Sequence, residues 1–108
     1  MAYKVLVTPA FFGRKDSAPI DLLIEAGCEV VPSPYRRTAT EEEMCALVAD
    51  VDAAIVSLDP VTEKVLASGP RLRIVARCGV GYDNVDVAAA ARMGIFVTNV
   101  PGANSRAV

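Results

Sequence analysis

The stretch Ala76-Arg77-Cys78-Gly79-Val80-Gly81-Tyr82-Asp83-Asn84-Val85-Asp86 combines residue types and spacing that can hold an anion. An apolar run from Leu72 to Ala76 stops at two glycines spaced one apart, and an aliphatic helix pattern begins soon after. A strand therefore ends in a tight loop that feeds a helix. Glycine at 79 and 81 admits positive φ and close backbone approach, so successive N–H groups can converge on one anion. Arg77, at the last position of the strand, adds a permanent positive charge. The loop reads as a cradle for an anion, most simply a carboxylate. Steric need alone also places glycine in strand-to-helix turns, and a short G-x-G by itself is a weak signal. The stretch is not a dinucleotide fingerprint. Asn84 stands where a third glycine would be required, and Pro101 and Gly102, about 20 positions on, offer no acid for a ribose.

Other chemistries are removed by composition. The chain has no histidine, which excludes His-based general acid–base catalysis, Ser-His and Cys-His nucleophiles and most transition-metal sites from these 108 residues. Cys28, Cys45 and Cys78 are odd in number and lack C-x-x-C spacing, so neither a disulfide framework nor a zinc site is indicated. Cys28 and Cys45 read as small buried hydrophobes. Cys78 lies beside Arg77 and the Gly loop, both of which lower a thiol pKa, but it has no base and is assigned no role. A net charge of −2 argues against a nucleic-acid surface. No apolar run approaches the roughly 20 residues of a membrane span, and the N-terminus lacks signal-peptide anatomy. The expected location is the cytoplasm.

The elements that must position the loop alternate along the chain. Tyr3 to Thr8, Cys28 to Val31, Asp52 to Leu58, Leu72 to Ala76 and Ile95 to Thr98 are apolar runs suited to buried strands. Between them lie a helix capped by Asp16 or Ser17 and ended by Gly27, and one opened by the capping-box pair Thr40 and Glu43 with Met44, Leu47 and Val48 inward. A short helix over Thr62 to Ala67 and another over Asp86 to Met93 follow. The Glu41-Glu42-Glu43 run suits the positive end of its helix rather than a metal. Short connections between alternating elements imply right-handed βαβ units. The expected fold is α/β: a flavodoxin-like five-stranded parallel sheet in the order 2-1-3-4-5, with helices on both faces. Ligands then sit beyond the carboxyl ends of the strands, where Thr8, Asp59, the Gly loop and the segment after Thr98 gather.

The same Gly loop, followed by Gly94-Ile95-Phe96-Val97-Thr98-Asn99-Val100-Pro101-Gly102-Ala103-Asn104-Ser105, closely resembles the D-isomer-specific 2-hydroxyacid dehydrogenases, notably their phosphoglycerate dehydrogenase-like members. The resemblance spans essentially the whole chain, including Leu58-Asp59-Pro60-Val61-Thr62. It implies a substrate-binding domain over residues 1–100, with 101–108 beginning the interdomain helix that leads to an NAD-binding Rossmann domain beyond this sequence. By resemblance, the backbone amides of Val80 and Gly81 hold the carboxylate of a 2-oxo or 2-hydroxy acid, and Asn104 lies by the interdomain cleft. The family's catalytic histidine, acid and arginine, and its dinucleotide glycines, match no position here. The expected site residues are thus Arg77, Val80, Gly81 and Asn104, with no catalytic, cofactor-binding or metal-binding residue in the chain.

The resemblance further implies NAD or NADP in the full-length enzyme and none bound to this chain alone. It also implies a small carboxylate substrate, a homo-oligomer such as a dimer, and no membrane or nucleic-acid partner. Asp59, in the loop after the third strand, is expected to repel a phosphorylated substrate. Asn104 or Ser105 suits a helix N-cap a few residues before the sequence stops, so a truncated protein, inactive alone, is expected. The competing reading is a stand-alone flavodoxin-like carboxylate-binding or regulatory module without catalysis. A phosphoacceptor receiver does not fit, because Thr8-Pro9-Ala10 and Asn99 occupy its acidic-pair and lysine positions.

Overall fold

The computed structural model describes residues 3–8, 24–35, 37–78 and 83–100. Five aliphatic segments pair as strands: β1 (Lys4–Val7), β2 (Glu29–Pro32), β3 (Ala53–Val56), β4 (Ile74–Cys78) and β5 (Phe96–Val100). Every pairing is parallel and the order is β2-β1-β3-β4-β5, as the βαβ alternation predicts. Two boundaries differ from the sequence reading in a way that matters for the site. β4 continues through Arg77 to Cys78, and β5 continues to Val100, because Arg77 is held on both sides by register partners, Val56 and Asn99. A ladder flanked on both edges outlasts the apolar run that starts it. β2 ends on Pro32, which an edge strand tolerates since one side needs no ladder donor.

Three helices are described in full: α1 (Glu41–Leu47), α2 (Glu63–Ala67) and α3 (Val87–Arg92). Each begins at a side-chain cap. Thr40 and Glu43 form the reciprocal capping box, Thr62 accepts from the Val65 amide, and Asp86 accepts from the Ala89 amide. Of the helix expected before Gly27, only the last turn from Ile24 lies within the described residues; its Asp16 and Ser17 caps lie outside them. Gly27 and Gly94 have φ of +88° and +74°, the left-handed conformation that ends a helix.

Leu6, Ala54 and Val75 share one register row, and they join Met44, Val48, Val65, Leu66, Ala89 and Ala90 in a single buried cluster. Ala89 and Ala90 are wholly buried, and their small side chains let α3 approach the strands closely. Burying Met44 or Leu66 contributes about 1.5–3 kcal/mol each. On the opposite sheet face Val5 and Val7 are buried, whereas the register partners Ile74 and Phe96 are exposed. Leu47 and Cys45 are half-buried against the core rather than inside it, and Cys28 is half-buried as well.

Glu43 is the best-held acid of α1. Arg37 grips it through two parallel bonds of 2.8 Å, and the Thr40 amide donates to it. Hydrogen bonding to Arg37, then to the Thr40 backbone, pulls its carboxyl down to about 2. A depressed folded pKa stabilises the protein above the ordinary carboxylate value, and that contribution is lost as pH falls towards about 2. Arg37→Met should return the Glu43 titration, followed by carboxyl 13C shifts, most of the way to its ordinary value. A Glu43 titration unchanged by the substitution would refute the assignment to Arg37.

Candidate functional site

The ends of β1, β3 and β4 meet at the carboxyl edge of the sheet, and what joins them is polar. Arg77, one residue before the end of β4, lies in the same register row as Val56 and Asn99. Its half-buried side chain donates through Nε to Asn84 Oδ1 at 3.1 Å and through Nη1 to the Cys78 carbonyl at 3.3 Å. Lys4, Arg37, Arg71 and Arg92 are each paired with a carboxylate. Arg77, among the described residues, has no such partner. A half-buried guanidinium whose bonds all go to neutral oxygens keeps its charge available to an anion.

Asn84 is a site residue that the sequence reading did not single out as such. Its Nδ2 donates to the carbonyls of Ser57 at 2.8 Å and Asp59 at 2.7 Å, while its Oδ1 accepts from Arg77. Its backbone carbonyl accepts from the Val61 amide at 2.8 Å, and the Asp86 amide donates back to Val61 at 2.9 Å. A short parallel bridge between Val61 and Val85 results. The segment that leaves the Gly loop is thereby stitched to the loop that leaves β3. The signal was present in the sequence, since Asn84 is the residue that breaks the dinucleotide fingerprint.

Asp59 corrects an expectation. It does not face outward where it would repel a phosphate. It is 3% exposed, and its carboxyl accepts from the Thr8 hydroxyl, the Ser57 amide and the Ala39 amide. The side chain of this loop that meets solvent is Leu58, 63% exposed. Its hydrogen bonds hold it inward: Asp59 is tied to Thr8 after β1 and to Ala39 before α1, while its neighbour Leu58 points to solvent. Electrostatic rejection of a phosphate by Asp59 accordingly loses its basis.

Cys78 also departs from expectation. Burial pushes its thiol up, and the opposing pull of Arg77 is the smaller influence. Iodoacetamide should therefore label Cys28 and Cys45 at least about tenfold faster than Cys78 at neutral pH, measured by peptide mass spectrometry. Preferential labelling of Cys78 would show a reactive thiol instead. Val80, Gly81 and Asn104 lie outside the described residues, so of the four expected site residues the structure places Arg77.

Two further ligand chemistries bear on these residues. A dinucleotide does not fit them: the third-glycine position of the fingerprint carries Asn84, whose amide is committed to Ser57, Asp59 and Arg77. Among the described residues, no group of three or more His, Cys, Asp or Glu side chains is placed to hold a metal. No described helix is long and apolar enough to cross a membrane. What the described residues offer is a half-buried cation near the end of β4, two positions before Gly79 in the sequence.

Comparisons with known proteins give the family of the chain. The family model for the D-isomer specific 2-hydroxyacid dehydrogenase catalytic domain matches residues 10–108. A glyoxylate reductase of Thermococcus gammatolerans is 47% identical over 83 residues, covering 76% of this chain and 25% of that protein. A D-3-phosphoglycerate dehydrogenase of Synechocystis is 38% identical over 103 residues, 94% of this chain and 17% of that protein. Among solved structures, the NAD+-bound 3-phosphoglycerate dehydrogenase of Entamoeba histolytica superposes with a TM-score of 0.76 at 31% identity, over 92% of this chain and 33% of that one. The chain thus spans a third or less of the length of these relatives. With almost its whole length matched by the family model, and with the parallel order β2-β1-β3-β4-β5 beneath it, the chain belongs to the D-isomer specific 2-hydroxyacid dehydrogenase family.

Proposed function

We propose that this chain is the substrate-binding part of an enzyme that passes hydride between a nicotinamide cofactor and a D-2-hydroxy or 2-oxo acid. Its own share of that task is to hold the carboxylate of the acid at the Gly79-Val80-Gly81 loop beside Arg77. One observation carries the reading: Arg77 is a half-buried cation with no acidic partner among the described residues, near the end of β4 and two positions before Gly79 in the sequence. The relatives support it through what their names share. Glyoxylate and 3-phosphoglycerate both carry a carboxylate next to the carbon that is reduced or oxidised. NAD or NADP would carry the hydride, the reduced form donating it to a 2-oxo acid and the oxidised form accepting it from a 2-hydroxy acid, and would be held by residues other than those of this chain, because Asn84 replaces the glycine that a dinucleotide loop requires. Asn104 and the segment 101–108 are assigned to the side of the site that faces the cofactor-binding part.

Oxalate, a non-reactive mimic of a 2-oxo acid, is the direct probe. In a 15N amide titration the shifts should concentrate at Gly79, Val80 and Gly81 and at the Arg77 side-chain Nε–H. The chain by itself should show no NADH oxidation with glyoxylate or hydroxypyruvate. An unchanged spectrum at saturating millimolar oxalate would sink the binding site, and measurable turnover would sink the division of labour.

A further inference from the structure

Asn84 uses its whole carboxamide. Both Nδ2 protons go to main-chain carbonyls, those of Ser57 and Asp59, and Oδ1 takes the Nε proton of Arg77. The two carbonyls decide the amide orientation, since an oxygen turned towards them would meet two acceptors. Once they are satisfied, Oδ1 must face Arg77. The main chain on either side is fixed as well, through the Val61 and Asp86 amides. The acceptor of Arg77 is therefore not a loose surface side chain but a group set by the loop after β3. That loop is set in turn by Asp59, which ties it to Thr8 at the end of β1 and to Ala39 before α1.

We propose that Asn84 is a positioning residue for substrate binding: it orients the Arg77 guanidinium, without adding or removing charge, and anchors the exit of the Gly loop to the end of β3. The assignment rests on the reading that Arg77 and the Gly loop receive the carboxylate. A neutral acceptor is what this position requires. An aspartate would also accept from Nε, but would pair its own charge with Arg77 and set an oxygen against the Ser57 and Asp59 carbonyls. An alanine would leave those carbonyls without their donor and Arg77 without its guide. A residue that served only the fold would make both substitutions costly in stability and neutral for the ligand.

The two roles separate in one set of titrations. Oxalate affinity, read from the Val80 and Gly81 amides, should fall about tenfold in Asn84→Ala and at least about thirtyfold in Asn84→Asp, the loss in the aspartate variant shrinking as pH is lowered and its carboxyl protonates. Melting temperatures measured alongside tell folding loss from binding loss. If neither variant folds, the wild-type chain carries the test: the Asn84 side-chain NH2 pair and the Arg77 Nε–H should shift along the same oxalate isotherm as the Gly-loop amides. Oxalate affinity within twofold of wild type in a folded Asn84→Asp, or Asn84 and Arg77 side-chain signals that stay fixed through saturation, overturns the role of Asn84 and leaves the binding site standing. Failure of the wild-type chain to bind oxalate at all overturns both.

Discussion

Asp59→Ala should lower the unfolding free energy by about 3–5 kcal/mol, measured by urea denaturation. The reason is that Asp59 is an acceptor for three donors, two of them on buried residues and the third on half-buried Ser57. The Ala39 amide reaches Oδ2 at 2.8 Å, the Ser57 amide reaches Oδ1 at 3.2 Å, and the Thr8 hydroxyl shares Oδ1. Ala39 is 2% exposed and its amide finds no water when the carboxyl is deleted, while the Thr8 hydroxyl, on a residue 7% exposed, keeps only a long 3.4 Å contact to the Ile55 carbonyl. Each stranded donor costs roughly 1–3 kcal/mol, against a total stability of order 5–15 kcal/mol for a domain. Asp59→Asn offers a graded check. Its one oxygen can serve Thr8 and Ser57, but its NH2 then confronts the Ala39 amide, so a smaller loss of about 1–3 kcal/mol is expected. A loss below about 1 kcal/mol for Asp59→Ala would mean that the strand ends relax and rehydrate, and that the network is not what joins them.

Arg77→Gln should weaken oxalate binding by about 10- to 100-fold while costing at most about 1 kcal/mol of stability. A hydrogen bond to a charged group is worth roughly 1.5–3 kcal/mol, and glutamine cannot supply the charge. The fold tolerates the change because Asn84 Oδ1, half-buried rather than sealed, can bond water when Nε is gone, and its two carbonyl contacts remain. Arg77→Lys keeps the charge but not the planar fork that meets Asn84, so it should lie between. Ionic strength gives an independent reading. Salt should depress the affinity of the wild-type chain more than that of Arg77→Gln, because only the former binds through a full charge. Equal salt slopes in the two proteins, with equal affinities, would remove Arg77 from the site.

The two substitutions act on neighbouring parts of one network and test different claims about it. Asp59 holds the scaffold at the carboxyl ends of β1 and β3. Arg77 presents charge on that scaffold, and Asn84 connects the two. A polar cluster at this edge is where an open parallel sheet places its ligands. Membership in the D-isomer specific 2-hydroxyacid dehydrogenase family is consistent with a site placed there.

What the sequence determined by itself was local. The capping pair Thr40 and Glu43 was legible because cap and amide lie three residues apart; Thr62 and Asp86, read as the first residues of their helices, cap them over the same short spacing. The strands are recoverable because continuous aliphatic runs leave few alternatives, and the sheet order because parallel crossovers have one hand. The position of Arg77 at the end of β4 was legible for the same reason, a cation closing an aliphatic run. Tertiary structure decided the rest. That Asp59 turns inward depends on Thr8, 51 positions earlier, and on Ala39, 20 positions earlier. That Asn84 orients Arg77 depends on carbonyls 25 and 27 positions away. That the Cys78 thiol is pushed up rather than down depends on burial at the end of β4, which outweighs the neighbouring charge of Arg77. Spacing within one helix or turn fixes contacts of three or four residues, whereas a side chain at a strand end finds its partners only once the register of β1, β3 and β4 has brought their ends together.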